Sequence, residues 1–379
     1  MANATTTITP SFRRAIPFWV SLLALPLVWA VSATGGPAIA LVPLCAWPLF
    51  SLIDAVLGTN PDNADPETPE GQLFWYRVLT LIWGPLQFLT VFGIIAYVTR
   101  TDHLVAHEEL AIAFGLGVIS GTVGIVYAHE LLHQKSRLER LAGDFLLAMV
   151  LYSHFRSEHL LVHHRHVGTP RDAVTARYNE NFYRYFVRVL REELPSAWRA
   201  EKDMLARRNL PATDFSNPFW FYAALQLACL GLAFSLGDWW GLVLFVVQAL
   251  VAVWQLQLVN YVEHYGLTRK HLGDGKYEPT GTHHSWNATH KGSNWLLINL
   301  QRHADHHTKP NRRFPLLQAG SDDDGPQLPY GYPIMTAAAM VPPLWRRRMN
   351  PRVRAWRKRF YPEISDWQSY NTMSNPSPR

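Results

Sequence analysis

His129-Glu130-Leu131-Leu132-His133, His159-Leu160-Leu161-Val162-His163-His164 and His303-Ala304-Asp305-His306-His307 gather eight histidines into three short stretches of a 379-residue chain. On a helix, side chains three and four residues apart share a face. Each stretch therefore presents two or three imidazoles together. Neutral imidazole is a ligand for iron, zinc, copper and nickel. One metal takes about four protein ligands, so eight clustered histidines exceed the needs of one ion and suit two. Three separate clusters with helical spacing are not what scattered surface histidines would produce.

No other residue type competes for the metal. The two cysteines, Cys45 and Cys229, lie in apolar stretches and form no zinc-thiolate, iron–sulfur or disulfide pattern. His129-Glu130-x-x-His133 matches the zinc-protease signature, with Glu130 as general base. A single zinc would leave at least five clustered histidines idle, so that match is set aside. Two metals with neutral ligands keep most of their charge, which favours oxygen-derived anions and nearby carboxylates. Zinc has no redox chemistry. A redox-active iron pair fits the ligand set better.

The elements that position these residues are apolar. Aromatic residues make up 13% of the chain and charged residues only 17%. Six apolar blocks approach the roughly 20 residues that cross a bilayer: Pro17 to Ser32, Pro37 to Leu57, Leu73 to Val98, Leu110 to Tyr127, Pro218 to Leu236 and Trp239 to Val259. A shorter run, Leu141 to Tyr152, is expected to be a buried or re-entrant helix. With the N-terminus inside, the outer loops are 33–36, 99–109 and 237–238. Of 35 Lys and Arg residues these loops carry only Arg100, whereas eleven lie between Arg156 and Arg208. Positive charge collects on the cytoplasmic side of membrane helices. Both termini are thus expected in the cytoplasm, with the net charge of +6 held in inner loops. The basic run from Arg346 to Arg359 reads as contact with anionic lipid headgroups. Nucleic acid is not expected as a partner.

The expected architecture is all-α: a polytopic membrane protein of about six transmembrane helices, with a cytoplasmic helical cap carrying a His-rich di-iron site. Residues 1–365 read as one membrane-embedded domain, with 153–217 and the region from 263 onward as polar cap. Residues 366–379 read as a disordered tail or the start of a linker. On this map all three clusters reach one membrane face. A fourth stretch, Asn260-Tyr261-Val262-Glu263-His264-Tyr265-Gly266, ends the sixth span at the same depth and makes His264 a ninth ligand.

Five stretches together resemble the integral-membrane alkane monooxygenases, part of a membrane di-iron group that includes fatty-acid desaturases and xylene monooxygenase. They are His129-Glu-Leu-x-His133-x-Lys135, Glu158-His159-x-x-x-His163-His164-Arg165, Asn260-Tyr-x-Glu-His264-Tyr-Gly-Leu267, His283-His284-Ser-Trp-Asn287 and Leu300-Gln-Arg-His303-x-Asp-His306-His307. The third and fifth point to the alkane-hydroxylase branch. Outside the clusters, His166 and Ala173 depart from the pattern.

The resemblance implies two non-haem irons on His129, His133, His159, His163, His164, His264, His303, His306 and His307. It implies terminal hydroxylation of a linear alkane, with dioxygen as oxidant and two electrons from rubredoxin, itself reduced by a flavin-dependent NADH rubredoxin reductase. The chain has no nicotinamide or flavin fingerprint and no Cys-x-x-Cys pair. A carrier in trans, or one fused beyond Arg379, is therefore expected to dock on the basic cytoplasmic face of an inner-membrane protein. Xylene-type hydroxylation and fatty-acid hydroxylation or desaturation are the alternatives within the group.

Metal-bound imidazoles usually donate their second N–H to a carboxylate or carbonyl. Glu130, Glu158, Glu263, Asp305, Asp144 and Asp172 are the candidates for that supporting role. His154, His166, His283, His284 and His290 are expected to be structural or supporting, and His103, His107 and His271 solvated. The second, third and fourth spans are the expected walls of an alkane tunnel. Gly115, Gly117, Gly121 and Gly124 either leave room for the chain or let helices pack closely.

Overall fold

A computed structural model describes residues 5–6, 12–321 and 324–370. Five helices in it are long and apolar enough to cross a membrane: α1 (Phe12–Thr34), α2 (Gly36–Leu57), α3 (Glu70–Val98), α4 (Ala106–Leu132) and, later in the chain, Pro218–His264. The last has 47 residues. A straight helix of that length would reach about 70 Å, twice the roughly 30 Å of a bilayer core. It does not run straight. Gly237 and Asp238 leave helical geometry, with Asp238 at φ 50°. A Cβ on Gly241 would sit 2.7 Å from the Ala233 carbonyl oxygen, so the two limbs run back along each other. Five apolar helices thus give the six crossings expected.

The expected outer loops meet at one end of the bundle. Gly35 and Gly36 turn at φ 68° and 58° between α1 and α2, and the Gly36 N–H donates to Glu108 Oε1 at 2.7 Å. Gly237 lies against the Thr99 side chain. The glycines of α4 are spent on packing. Gly115 faces Val42, Gly117 the Gln248 carbonyl oxygen, Gly121 the Ala252 carbonyl oxygen and Gly124 the Gln87 side chain. Space for an alkane at these positions is therefore not available, because neighbouring side chains and helix backbones already occupy it.

Helix α5 (Arg137–Ala148) starts at Ser136, whose hydroxyl accepts from the Glu139 N–H. It climbs back into the bundle. Phe145 packs on Phe88, midway along α3, and Gln248 Nε2 donates to the Met149 carbonyl at 2.6 Å. A helix over Arg137–Ala148 thus stands where a buried or re-entrant one was expected over Leu141 to Tyr152. Helical residues 155–166 form α6, which includes a π-helical turn over His159–His163. Helix α7 (Phe182–Ala206) is capped by Asn181, and α8 (Pro218–His264) is the folded fifth helix, capped by Asn217. Short helices α9 (Lys291–Leu296), α10 (His303–Thr308) and α11 (Tyr332–Ala339) lead to α12 (Pro342–Phe360).

Among the described residues strands are minor: Thr5–Thr6 pairs parallel with Asn63–Ala64, and His271–Gly273 antiparallel with Lys276–Tyr277. Residues Trp367–Tyr370, read as part of a tail, form α13. The buried Tyr370 hydroxyl accepts from the His271 N–H at 3.1 Å. The linker reading of 371–379 falls outside the described residues. The fully buried core (Trp83, Tyr127, Tyr185, Tyr261, Tyr265, Trp286 and Trp345 among its largest members) packs around the inner ends of the spans.

Candidate metal centre

Four elements deliver the nine histidines to one place. His129 stands in the last turn of α4 and His133 caps its end. His159, His163 and His164 come from α6, His264 ends α8, and α10 carries His303, His306 and His307. The start of α10 is tied to the end of α8. The Trp286 N–H donates to the Glu263 carbonyl, its indole N–H to the Tyr265 carbonyl, and the Ala304 N–H to Asn287 Oδ1, each at 2.9 Å. Gly266, at φ 70°, makes the turn between them, with Val353 where a Cβ would stand.

The nine imidazoles divide into two groups. His129, His133, His159, His164 and His306 form one; His163, His264, His303 and His307 form the other. In each group the ligand nitrogens lie within 4.8 Å of one another. The Nε2 atoms of His133, His159 and His164 are mutually 3.0, 2.9 and 3.3 Å apart, and that of His306 is 3.2 Å from His164. In the second group His303 Nε2 is 3.2 Å from His264 and 3.0 Å from His307. Two nitrogens about 2.1 Å from one cation and at right angles to each other are about 3.0 Å apart. A triangle of neutral imidazole nitrogens has too few protons to satisfy every edge by hydrogen bonding. The donor set therefore fits a cation in each group.

Electrostatics keep six of these ligands neutral. Burial, reinforced by the neighbouring imidazoles, holds His159, His164, His303, His306 and His307 far below the usual histidine range. Burial, with His163 adding to it, brings His133 down to about 3. Seven of the nine are buried; His133 and His164 are half-buried and form the rim of the five-histidine group.

The α-helical spacing assumed for the second cluster needs correction. In a π turn the backbone bonds i to i+5, and His159 and His164, five apart, share a group. His163, four from His159, faces the other one. One wide turn thus serves both groups.

Of the six carboxylates expected to brace imidazoles, two face them. Asp172 Oδ2 is 3.0 Å from His163 Nδ1 and also accepts from the Thr175 hydroxyl. Burial alone would raise its carboxyl, but His163 and these hydrogen bonds hold it below the usual range. Glu263 Oε2 lies 3.4 Å from His303 Nε2, and its other oxygen accepts from the Tyr332 hydroxyl at 3.0 Å.

The other four are corrected. Glu130 accepts from Gln134 and from the Phe314 N–H, because α4 packs on the segment after α10. Asp144 pairs with Arg156 at 2.5 Å, and burial pushes it up to about 6 against that pairing. Asp305 points away from the site to Arg312 at 2.6 Å. Glu158 is buried and neither of its oxygens has a hydrogen-bond partner. Burial, then Glu193 and Asp172, drive its carboxyl upward, so it is tolerated as the neutral acid.

Local sequence does not signal three supporting residues. Tyr332 reaches Glu263 from 69 positions away. Arg302 turns its guanidinium from the centre to the carbonyls of Leu317, Asp62 and Asn60. Arg313 clamps Glu139 at 2.9 and 3.1 Å. A further group, Glu278, His283 and His284, is closed by hydrogen bonds. The Tyr361 hydroxyl donates to Glu278 and lies 3.0 and 2.8 Å from the two imidazole Nε2 atoms. The Gly281 N–H donates to His284 Nδ1, which leaves the proton on Nε2. The group reads as structural, as expected for these histidines.

An apolar cavity of about 250 Å³ opens between α1, α2 and α4, lined by Leu27, Cys45, Ala46, Phe50, Thr122 and Val123 among others. Its walls are the first, second and fourth spans, and α3 packs on α4 through Gln87 and Gly124. Val123 lies six residues before His129, about 9 Å along the helix. On the other side of α6, Arg165, Arg171, Arg199 and Arg207 line a groove that also includes Val162, next to His163.

The fatty acid desaturase family model matches residues 109–339, which hold all nine histidines. Alkane 1-monooxygenase 2 of Pseudomonas aeruginosa is 40% identical over 326 residues, covering 82% of this chain and 85% of that protein. Alkane 1-monooxygenase 1 of the same organism is 39% identical over 340 residues, 87% and 84% of the two chains. The xylene/toluene monooxygenase hydroxylase component of Pseudomonas putida is more distant, at 27% over 306 residues, 79% and 78% of the two chains.

Proposed function

Since the chain belongs to the fatty acid desaturase family and, within it, to the alkane 1-monooxygenases, we propose that it converts linear alkanes to 1-alkanols at two irons held by its nine clustered histidines. The division of nine buried and rim imidazoles into a five and a four carries this reading. One alkane, one dioxygen, two electrons and two protons give one alcohol and one water. Bound iron supplies the redox chemistry that activates dioxygen.

The protein's own residues supply orientation and exclusion of water. Asp172 accepts a hydrogen bond from the His163 Nδ1–H, which leaves Nε2 as the ligand atom. Glu263, held by Tyr332, places a carboxylate at the edge of the four-histidine group. The terminal C–H bond of an alkane is stronger than its internal ones, so selectivity has to come from geometry. The cavity between α1, α2 and α4 admits a hydrocarbon from the bilayer and presents it end-on toward the last turns of α4.

Electrons arrive from a separate carrier, rubredoxin, reduced by a flavin-dependent NADH reductase. The groove of Arg165, Arg171, Arg199 and Arg207 is a basic seat for an acidic protein beside α6, and steering by complementary charge speeds such encounters. The cationic loops support a reading in which this face and both termini lie in the cytoplasm, with the protein in the inner membrane.

Metal analysis of the purified chain, joined to product analysis with octane, xylene and an acyl substrate in the presence of rubredoxin and its reductase, tests the proposal. Two irons per chain and 1-octanol as the main product are expected. Internal octanols, or preference for xylene or the acyl chain, would overturn the assignment.

A further inference from the structure

Helix α7 (Phe182–Ala206) was expected to be part of a polar cap, yet it carries an exposed apolar stripe. Tyr183, Val187, Leu190, Leu194 and Trp198 are between 36% and 54% exposed. Their spacing of four, three, four and four keeps them on one face of a helix that turns roughly 100° per residue. A second face, Phe182, Tyr185, Val189, Glu193 and Ala197, is buried in the protein. A third sector, between the stripe and the rest of the helix surface, carries the exposed cations Arg184, Arg191 and Lys202. Three environments on one helix call for three neighbours: protein, water and something apolar.

The position of α7 identifies the apolar neighbour. Its first turn packs on Tyr261, near the inner end of the second limb of α8. Near its other end Trp198 stacks edge-on against Phe219, in the first turn of α8. Both ends are therefore pinned where membrane-spanning limbs emerge, and the helix lies across that level. Exposed apolar residues continue the stripe at either end. Tyr183 bonds the Met340 carbonyl beside the exposed Val341 and Leu344. Beyond the C-terminal end, Phe215 is 95% exposed, followed by exposed Trp220 and Phe221 on α8.

We propose that α7 is an in-plane membrane helix, with Tyr183, Val187, Leu190, Leu194 and Trp198 seated in the inner leaflet at the boundary of acyl chains and headgroups. Arg184, Arg191 and Lys202 then reach the headgroup phosphates, the arrangement of amphipathic helices that lie in the interface. The inner face of α7 backs onto α6 and the segment before it. Ser157 donates to Glu201 at 2.5 Å, and the Tyr152 hydroxyl donates to Glu193. Lipid contact along α7 thus sets the depth at which the α6 histidines stand.

Spin labels test this on the full chain in nanodiscs of phosphatidylcholine and phosphatidylglycerol, in a Cys45→Ser, Cys229→Ser background. Single cysteines are placed at Val187, Leu190 and Leu194, and at Arg184, Arg191 and Lys202. Labels on the stripe are expected to collide several-fold more with oxygen than with a water-soluble nickel chelate, and the ratio should invert at the cationic positions. Nickel access along the stripe would overturn the proposal, and so would spin–spin broadening at those positions, which would mean that a second copy covers the face. Bound iron measured on each labelled chain identifies any variant that has misfolded, and at least one position in each set must retain it for the comparison to count.

Discussion

The Nε2 atoms of His159 and His164 stand 2.9 Å apart across five positions of chain, while His163, between them, faces the other group of imidazoles. An ordinary α-helical turn would pair His159 with His163 instead. The π turn over His159–His163 puts neighbours on one strand of helix into different groups of imidazoles. Such turns are rare and concentrate at functional sites.

His163→Ala and His164→Ala are therefore expected to perturb different irons. His163→Ala leaves three imidazoles in its group, below the four-ligand norm, and should keep about one iron of two. His164→Ala leaves four in its group and should keep both, with its Mössbauer spectrum changed in the signal that His163→Ala retains. Identical spectra from both variants would count against the five-and-four division.

Asp172→Ala takes away the only carboxylate on His163 Nδ1 among the described residues. Supporting partners of metal-bound histidine are worth roughly 10–100-fold in metal affinity. Chelator titration should show a loss of that size at one iron, with the other held as before. Asp172→Asn, which keeps an acceptor, should lose less.

Ala46 and Ala24 are small residues on the wall of the apolar cavity. Ala46→Trp should shorten the longest alkane turned over while leaving iron content and terminal selectivity unchanged. A chain-length profile equal to that of the native protein would place the alkane elsewhere.

Glu193 is fully buried, bonded to Tyr152 and Gln257, and burial pushes its carboxyl from the ordinary 4.5 to about 8. A raised carboxyl stabilises the fold below its unfolded value and loses that contribution as pH rises through its folded value. Glu193→Gln stays neutral at every pH. Its melting temperature should exceed that of the native chain at about pH 9 and approach it near pH 5. Parallel curves across that range would show that Glu193 is ionised in the fold.

Charge reversal at Arg199 and Arg207 should slow carrier-dependent turnover without loss of iron. Raising salt toward about 1 M, where the Debye length falls to about 3 Å, should have the same effect on the native chain and little on the variant. Equal salt sensitivity in both would move the docking site off this groove.

Much of this was legible in the chain itself. Histidine spacing of three and four is local, and so is the run of apolar residues that makes a span; both survive any change of tertiary context. They named nine imidazoles, placed them at one membrane face and drew six crossings, including the turn at Gly237–Asp238. The cationic bias of the loops and the absence of thiolate ligands are likewise properties of composition and order.

Tertiary structure decided what depends on contacts between distant segments. Whether α6 winds as an α or a π turn decides which of His163 and His164 joins His159, and the local sequence does not signal that choice. Asp305 sits inside a histidine cluster yet turns to Arg312, whereas Asp172, outside every cluster, reaches His163. The glycines of α4 meet α2, α3 and α8 rather than a substrate, and the stripe on α7 is exposed because no other part of the described chain covers it. A residue's type sets what it can bond. Which partner it finds is set by helix rotation and long-range packing, and neither has a local signature in the sequence.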